Sequence, residues 1–188
     1  MSLEQEDREL IVLAASGDQR GFAELVRRHQ DRVFNLAYRY SRDRQDAEEL
    51  AQEIFLKVWR HAGSFRGESA FGTWLYRLAV NACLNHRQSR KSRPQPQTLT
   101  ADLPAPGAGG QSGDDMVADE REARLRMAMG SLPARQRLAL ALASFEDKSY
   151  EDIAVAMDVS VPAVESLLFR ARQNLAAMLR PLREKGEL

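Results

Sequence analysis

Three groups of residues in this chain carry chemistry, and each suits recognition rather than bond making. Residues 64–71 read SFRGESAF, a polar loop with a glycine between two phenylalanines. The segment behind it sets Asn81, Asn85 and Gln88 in one line and gathers Arg87, Arg90, Lys91 and Arg93 near its end. Aromatic rings stack on bases and arginines follow a phosphate backbone, so this mixture suits single-stranded nucleic acid. Basic residues also suit the negative end of a helix dipole, a purely structural reason for the same cluster. The second group is Asp46, Glu49 and Glu53, at intervals of three and four, followed by Lys57 and Arg60. On a helix these carboxylates share a face. Glu53 stands four residues before Lys57, which reads as a solvated pair; a docking face for a basic helix is the other reading. The third group, Glu165, Ser166, Phe169 and Arg170, lies in residues 149–179, SYEDIAVAMDVSVPAVESLLFRARQNLAAML.

That last stretch is two helical patterns meeting at a tight turn. Ser149 is a natural N-cap, with Asp152 three residues on as its capping partner. Ile153, Ala154 and Met157 then fall on one face. Asp158 and Val159 break the period, and Asp tolerates the left-handed conformation such a break needs. Ser160 caps the next helix, and Pro162 is acceptable in its first turn. Val164, Leu167, Leu168, Ala171 and Leu175 keep a 3.6-residue period until Pro181 is expected to stop it. A short helix, a turn of about four residues and a longer helix make a helix-turn-helix, whose second helix enters a major groove. An ordinary helical hairpin in an all-α core has the same pattern.

The elements upstream are also helical. Residues 5–16 form a short amphipathic helix ended by Gly17 and Asp18. Residues 20–40 carry a wide apolar stripe of Phe22, Leu25, Val26, Val33, Phe34, Leu36, Ala37 and Tyr40. Asp43 caps a third helix that runs to about Ala62, with Ala47, Leu50, Ala51, Ile54, Phe55 and Val58 as its inner stripe. A fourth runs from Gly72 to Lys91, with Trp74, Leu75, Leu78, Ala79, Ala82 and Cys83 inward. Residues 94–116 hold four of the seven prolines and four of the eleven glycines, so they read as a flexible linker. Extended, this linker reaches about 75–80 Å; as a coil its ends average roughly 25 Å apart. Beyond it come a helix from Val117 to about Met129 and another, ARQRLALALASF, before the helix-turn-helix. Nothing alternates with period two, so no sheet is expected. The fold class is all-α: two small helical domains, 1–93 and 117–188, on a flexible tether.

Composition narrows the function. Of the 188 residues, 44% are hydrophobic and 29% charged, an ordinary soluble balance. There is no apolar run of membrane-spanning length and no signal peptide pattern, which points to the cytoplasm. One cysteine excludes an internal disulfide and any multi-cysteine metal site. His29, His61 and His86 sit on separate helices without ligand spacing, so neither a metal nor a cofactor is expected. The net charge is zero. Phosphate neutralisation supplies most non-specific DNA affinity, so the isolated chain should bind DNA weakly and a partner should contribute.

DAEELAQEIFLKVW, FRGESAFGTWLYRLAVNACLNHRQSRK, SLPARQRLALAL and SYEDIAVAMDVSVPAVESLLFRAR, in that order across a linker, resemble the bacterial extracytoplasmic-function (ECF) sigma factors. These are the compact class of the sigma-70 family of RNA polymerase specificity subunits. The resemblance covers nearly the whole chain. It implies that 1–93 is a region 2 domain and 117–188 a region 4 domain. It implies that Asp46, Glu49, Gln52, Glu53 and Trp59 dock on the polymerase clamp, which favours the docking reading of the acidic face. It implies that Ser64, Phe65, Arg66, Gly67, Glu68, Ser69 and Phe71, with Asn81 and Asn85 nearby, capture a flipped base of the −10 element. Extruding a base costs a few kcal/mol, which amide donors and aromatic walls can offset. Arg77, Arg87 and Arg90 would hold phosphates. Ser160, Pro162, Ala163, Glu165, Ser166, Phe169 and Arg170 would meet the −35 element. The linker would thread toward the polymerase active site and RNA exit.

The chain reads VESLL where many members carry basic residues at the positions of Glu165 and Leu167, so the common −35 sequence is not carried over. The reading that results is a non-enzymatic initiation factor. Its partners are core RNA polymerase, at the clamp and flap regions, promoter DNA and an anti-sigma factor, with no metal and no membrane insertion. A stand-alone helix-turn-helix regulator and a partner-sequestering helical adaptor are the alternatives.

Overall fold

Side-chain caps set three of the helix starts. The protein was analysed as a computed structural model, which describes residues 3–91, 124, 127–146 and 148–184. The expected linker, 94–116, and most of the helix expected over 117–129 lie outside the described residues. The helices are α1 (Leu3–Ala15), α2 (Gln19–Ser41), α3 (Arg44–His61), α4 (Phe71–Lys91), α5 (Ala134–Phe145), α6 (Tyr150–Met157) and α7 (Val161–Glu184). A single 3₁₀ turn, Ala62–Ser64, follows α3, and residues 127–131 are helical ahead of α5. Among the described residues there is no strand.

Gly17, at φ 91°, turns the chain between α1 and α2, a conformation that favours glycine. Asp18 then caps α2, accepting from the Arg20 amide at 2.8 Å and the Gly21 amide at 3.4 Å. Arg42, left-handed at φ 66°, ends α2, and Asp43 accepts from the Asp46 amide at 2.9 Å to start α3. Ser149 accepts from the Asp152 amide at 3.1 Å, and its hydroxyl donates to the Asp152 carboxylate at 3.1 Å. Asp158 ends α6 in the left-handed conformation, at φ 54°. Residues 158–160 then make a turn of three residues before α7.

Pro181 does not stop α7, which continues to Glu184. Proline removes one donor, the N–H that would reach the Ala177 carbonyl. Position 181 is exposed and within one turn of the helix end, so water can take that carbonyl.

The core forms where helical stripes meet. Leu25, Val33, Leu36 and Ala37 of α2 pack with Ala47, Leu50, Ile54 and Val58 of α3 and with Leu75, Ala79, Ala82 and Cys83 of α4. Ile11 and Ala14 bring α1 onto the same body. Gly21 permits this approach: a Cβ there would stand 2.9 Å from that of Leu13. Ile153, Ala154 and Met157 of α6 pack with Val164, Leu168 and Ala171 of α7. The run from Gln136 to Leu142 in α5 is buried throughout. A helix covered on all sides must have neighbours on both faces; α5 lies between α2 on one side and α6 and α7 on the other. Among the described residues no helix is long and apolar enough to cross a membrane.

Five polar or charged residues are buried among those described: Asp7, His29, Thr73, Gln136 and Arg137. His29, 8% exposed, is hydrogen-bonded through Nε2 to Asp7 at 2.8 Å. Burial pushes the imidazole below its ordinary value, and the Asp7 carboxylate opposes that push. The Arg137 guanidinium donates to the carbonyls of Gly130 at 2.9 Å, Leu132 at 3.1 Å and Tyr40. Cys83 is fully buried, and its thiol is pushed up to about 12, chiefly by burial.

Two expectations follow for stability. Leu36→Ala removes a fully buried side chain and should destabilise by about 2–5 kcal/mol. Leu56→Ala removes one that is 53% exposed and should stay within about 0.5 kcal/mol. Urea denaturation of both variants checks this, and similar costs would contradict the packing described. The second expectation concerns pH. The folded His29 binds a proton less readily than the unfolded one, so its stabilising share is present above the unfolded value, about 6.5, and lost as pH falls below it. The urea midpoint should therefore drop more between pH 7.5 and 5.5 for the parent than for His29→Gln; equal drops would refute the assignment.

Candidate nucleic-acid interface

The loop between α3 and α4 is raised on an aromatic base. Phe71 opens α4 and is 1% exposed, with its ring 5.2 Å from His29, 6.0 Å from Phe65 and 6.0 Å from Trp74. Phe65 and Trp74 are half-buried, at 5.4 Å and close to edge-to-face. The two loop phenylalanines therefore differ. Phe65 keeps accessible ring surface, and Phe71 is a floor with none to offer a base. Ser64 is exposed and tied down by donating to the His61 carbonyl at 2.7 Å. Gly67, at φ 71°, forms the tip. Arg66 and Glu68 flank it 4.0 Å apart, both about 80% exposed, which makes a weak pair. Ser69 is half-buried beneath them.

Behind the loop, Arg77, Asn81 and Asn85 recur every four residues and are all exposed, so α4 presents them as one line. Arg87 and Arg90 belong to the last turns of α4, and their side chains lie outside what the structure describes. Ala79 and Cys83, on the opposite side of the same helix, turn to the core.

The acidic face of α3 is partly rearranged. Asp46, 13% exposed, faces α4, with its carboxylate 3.9 Å from Nε2 of His86. Glu49 and Gln52 are exposed. Glu53 pairs with Lys57 at 2.7 Å and keeps 44% exposure. Trp59 is half-buried on Phe22 of α2 at 4.9 Å. Leu56, 53% exposed, joins this outer face. Sequence reasoning passed over it, although an apolar residue off the inner stripe was a readable signal.

In the helix-turn-helix, Val164, Leu168 and Ala171 face inward. Pro162, Glu165, Ser166, Phe169 and Arg170 are exposed at helical spacing, so they form one outward face; Ala163 is half-buried and Ser160 exposed at its start. Phe169 is 60% exposed, the least covered phenylalanine described. Sequence reasoning missed the contact between the two helical groups altogether. Thr73 of α4 donates to Asp152 of α6 at 2.9 Å, and the Tyr76 hydroxyl donates to Glu146. Arg77 lines a cleft of about 480 Å³ together with Glu151, Val155 and Asp158.

Comparison with known proteins identifies the family. The family model Sigma-70 region 2 matches residues 25–93, and Sigma-70, region 4 matches residues 122–175. The RNA polymerase sigma-H factor of Pseudomonas aeruginosa is 39% identical over 97% of this chain and 98% of its own length. The ECF RNA polymerase sigma-E factor of Haemophilus influenzae is 37% identical over 94% and 96%, and that of Escherichia coli 35% over 97% and 98%. Among solved structures, CnrH in complex with the cytosolic domain of CnrY superposes with a TM-score of 0.69 at 27% identity, covering 94% of this chain and 98% of CnrH. The all-helical fold, the two matched regions in order and relatives that align almost end to end agree: the chain belongs to the sigma-70 family of RNA polymerase sigma factors, in its ECF branch.

Proposed function

We propose that this protein is a transcription initiation factor that binds core RNA polymerase in the cytoplasm and directs it to a restricted set of promoters. The observation that carries the reading is the presence, on one sigma-family chain, of three outward faces of suitable chemistry. Glu49, Gln52, Glu53 and Leu56 on α3 suit a basic helical partner with an apolar contact at its centre. The loop with Phe65 and the line Arg77, Asn81 and Asn85 suit an unpaired −10 strand. Pro162, Glu165, Ser166, Phe169 and Arg170 suit a −35 major groove. The bond-making chemistry belongs to the polymerase, and this chain supplies position and strand opening. CnrH was solved with the cytosolic domain of CnrY, and its likeness to this chain supports an anti-sigma partner here as well.

Promoter-specific run-off transcription with core polymerase tests the reading; its failure would leave a stand-alone helix-turn-helix regulator. Glu49→Lys combined with Glu53→Lys should weaken polymerase binding about three- to tenfold while circular dichroism stays unchanged. Unaltered affinity would remove α3 from the docking surface.

Glu165 supports a finer expectation. It stands in the first two turns of α7, the part of such a helix that reaches base edges. A carboxylate cannot pair with the N7 and O6 acceptors of guanine, but it accepts from the amino group of cytosine or adenine. Glu165→Arg should weaken the native promoter and move one −35 position toward guanine, with a discrimination of about 1–3 kcal/mol. Selection from a randomised −35 library with both proteins checks this; identical preferences at every position would exclude the contact.

A further inference from the structure

The first helix brings a cation to the loop between α3 and α4. α1 packs against the 3₁₀ turn that follows α3 and against α4 itself. From its middle, Arg8 reaches the loop tip: a Cβ at Gly67 would stand 3.8 Å from Nη1 of Arg8. Gly67 is left-handed, at φ 71°, so the tip has no side chain to hold a guanidinium away. The Arg8 side chain is 41% exposed, and its carboxylate partner is Glu4 at 3.4 Å, itself 53% exposed, which makes a weak pair. Its Nε is buried and has no hydrogen-bond partner among the described residues. The carboxylates deeper in the body are taken by other groups. Arg28 holds Glu6 at 2.9 Å and Glu24 at 2.7 Å. Asp7 is bonded to His29 at 2.8 Å and lies 3.3 Å from Arg28. Within the loop, Arg66 and Glu68 stand 4.0 Å apart and offset one another. Arg8 therefore carries positive charge to the tip that strong pairing does not neutralise.

We propose that Arg8 is a phosphate contact for the unpaired −10 strand, made from α1 beside the base that the loop holds. The proposal rests on the reading of this loop as the −10 site. A strand that lays a base against Phe65 must carry its sugar-phosphate backbone past the loop rim, where Arg8 stands. Arginine suits that task, because its planar fork can serve two phosphate oxygens at once. The exposed Glu4 pair is given up at little cost when a phosphate takes its place. Phosphate contacts fix register and carry no sequence information. Arg8 thus positions the strand and leaves the choice of base to the loop and to Asn81 and Asn85. The buried bond between Asp7 and His29, beneath Phe71, fixes α1 against the loop, so the cation is in place before DNA arrives.

Holoenzyme formed from core polymerase and the full-length chain tests the contact, on a fork-junction promoter whose −10 non-template strand is unpaired. Arg8→Gln removes the charge, and Arg8→Lys keeps the charge but not the fork. Arg8→Gln should bind the fork about three- to tenfold more weakly, with helicity and affinity for core polymerase unchanged. The slope of log affinity against log salt should become shallower by about 0.7, the value for one phosphate on a single strand. Arg8→Lys should recover most of the affinity. Forks in which one −10 phosphate at a time is replaced by an uncharged methylphosphonate locate the contact. At one position the parent should lose about three- to tenfold and Arg8→Gln nothing, the mark of two groups that touch. Equal binding by the parent and Arg8→Gln would overturn the proposal. So would a loss in Arg8→Gln that leaves the salt slope unchanged and adds to every methylphosphonate loss alike, because Arg8 would then only support the loop. A parent holoenzyme that does not prefer the fork over one with a scrambled −10 sequence would count against the −10 reading, and the contact would fall with it. A preference that Arg8→Gln keeps in full would count against the contact alone.

Discussion

The structure depends on α2 being long enough to give every neighbouring helix a place to bury its apolar face. At 23 residues it spans about 35 Å. Gly21 and Leu25 receive α1, Leu36 and Ala37 lie among α3 and α4, and Tyr40 at the far end accepts from Arg137 of α5. Short amphipathic helices have little stability alone, because nucleation is unfavourable and tertiary burial supplies most of what holds them. Helices such as α1 and α6, 13 and 8 residues long, keep their form because a buried stripe is waiting for them.

Paired charge is handled locally. Arg28 reaches Glu6 at 2.9 Å and Glu24 at 2.7 Å, and these bonds tie α1 to α2. Hydrogen bonds from Arg27 and Arg28 hold the Glu24 carboxyl down to about 2. Asp7 and His29 satisfy one another beneath Phe71, so the loop between α3 and α4 rests on a polar pair inside an aromatic floor. Arg137 meets three carbonyls in the seam between the groups. In each case a charge sits beside the groups that bond to it, which matters most for the buried His29 and Arg137.

These supports leave the outward faces free of structural duty. Phe71 carries the loop so that Phe65 can remain accessible. Val164 and Leu168 hold α7 so that Glu165 and Phe169 face outward. Separation of support from contact along one helix follows from the 3.6-residue period. It lets an outward residue such as Glu165 be changed without disturbing the core.

Local chemistry was legible in the residues alone. Asp18, Asp43, Ser149 and Asp158 marked helix ends because a short polar side chain either satisfies backbone amides or tolerates a left-handed φ. Periodicity identified the inner stripes of α2, α3 and α4, and the order of motifs identified the family. Side-chain direction at half-buried positions was not legible. Asp46 and Glu49 share an acidic face in sequence, yet Asp46 turns to His86 because α4 crosses there. Phe65 and Phe71 are alike as letters and differ in burial because one opens a helix above His29. The helix expected to stop at Pro181 ran on, because an exposed last turn tolerates the lost donor. The seam joining Tyr76 to Glu146 spans 70 residues of chain. No period or spacing encodes such a pair; only the packing of α5 and α6 on α2 and α4 brings the two side chains together.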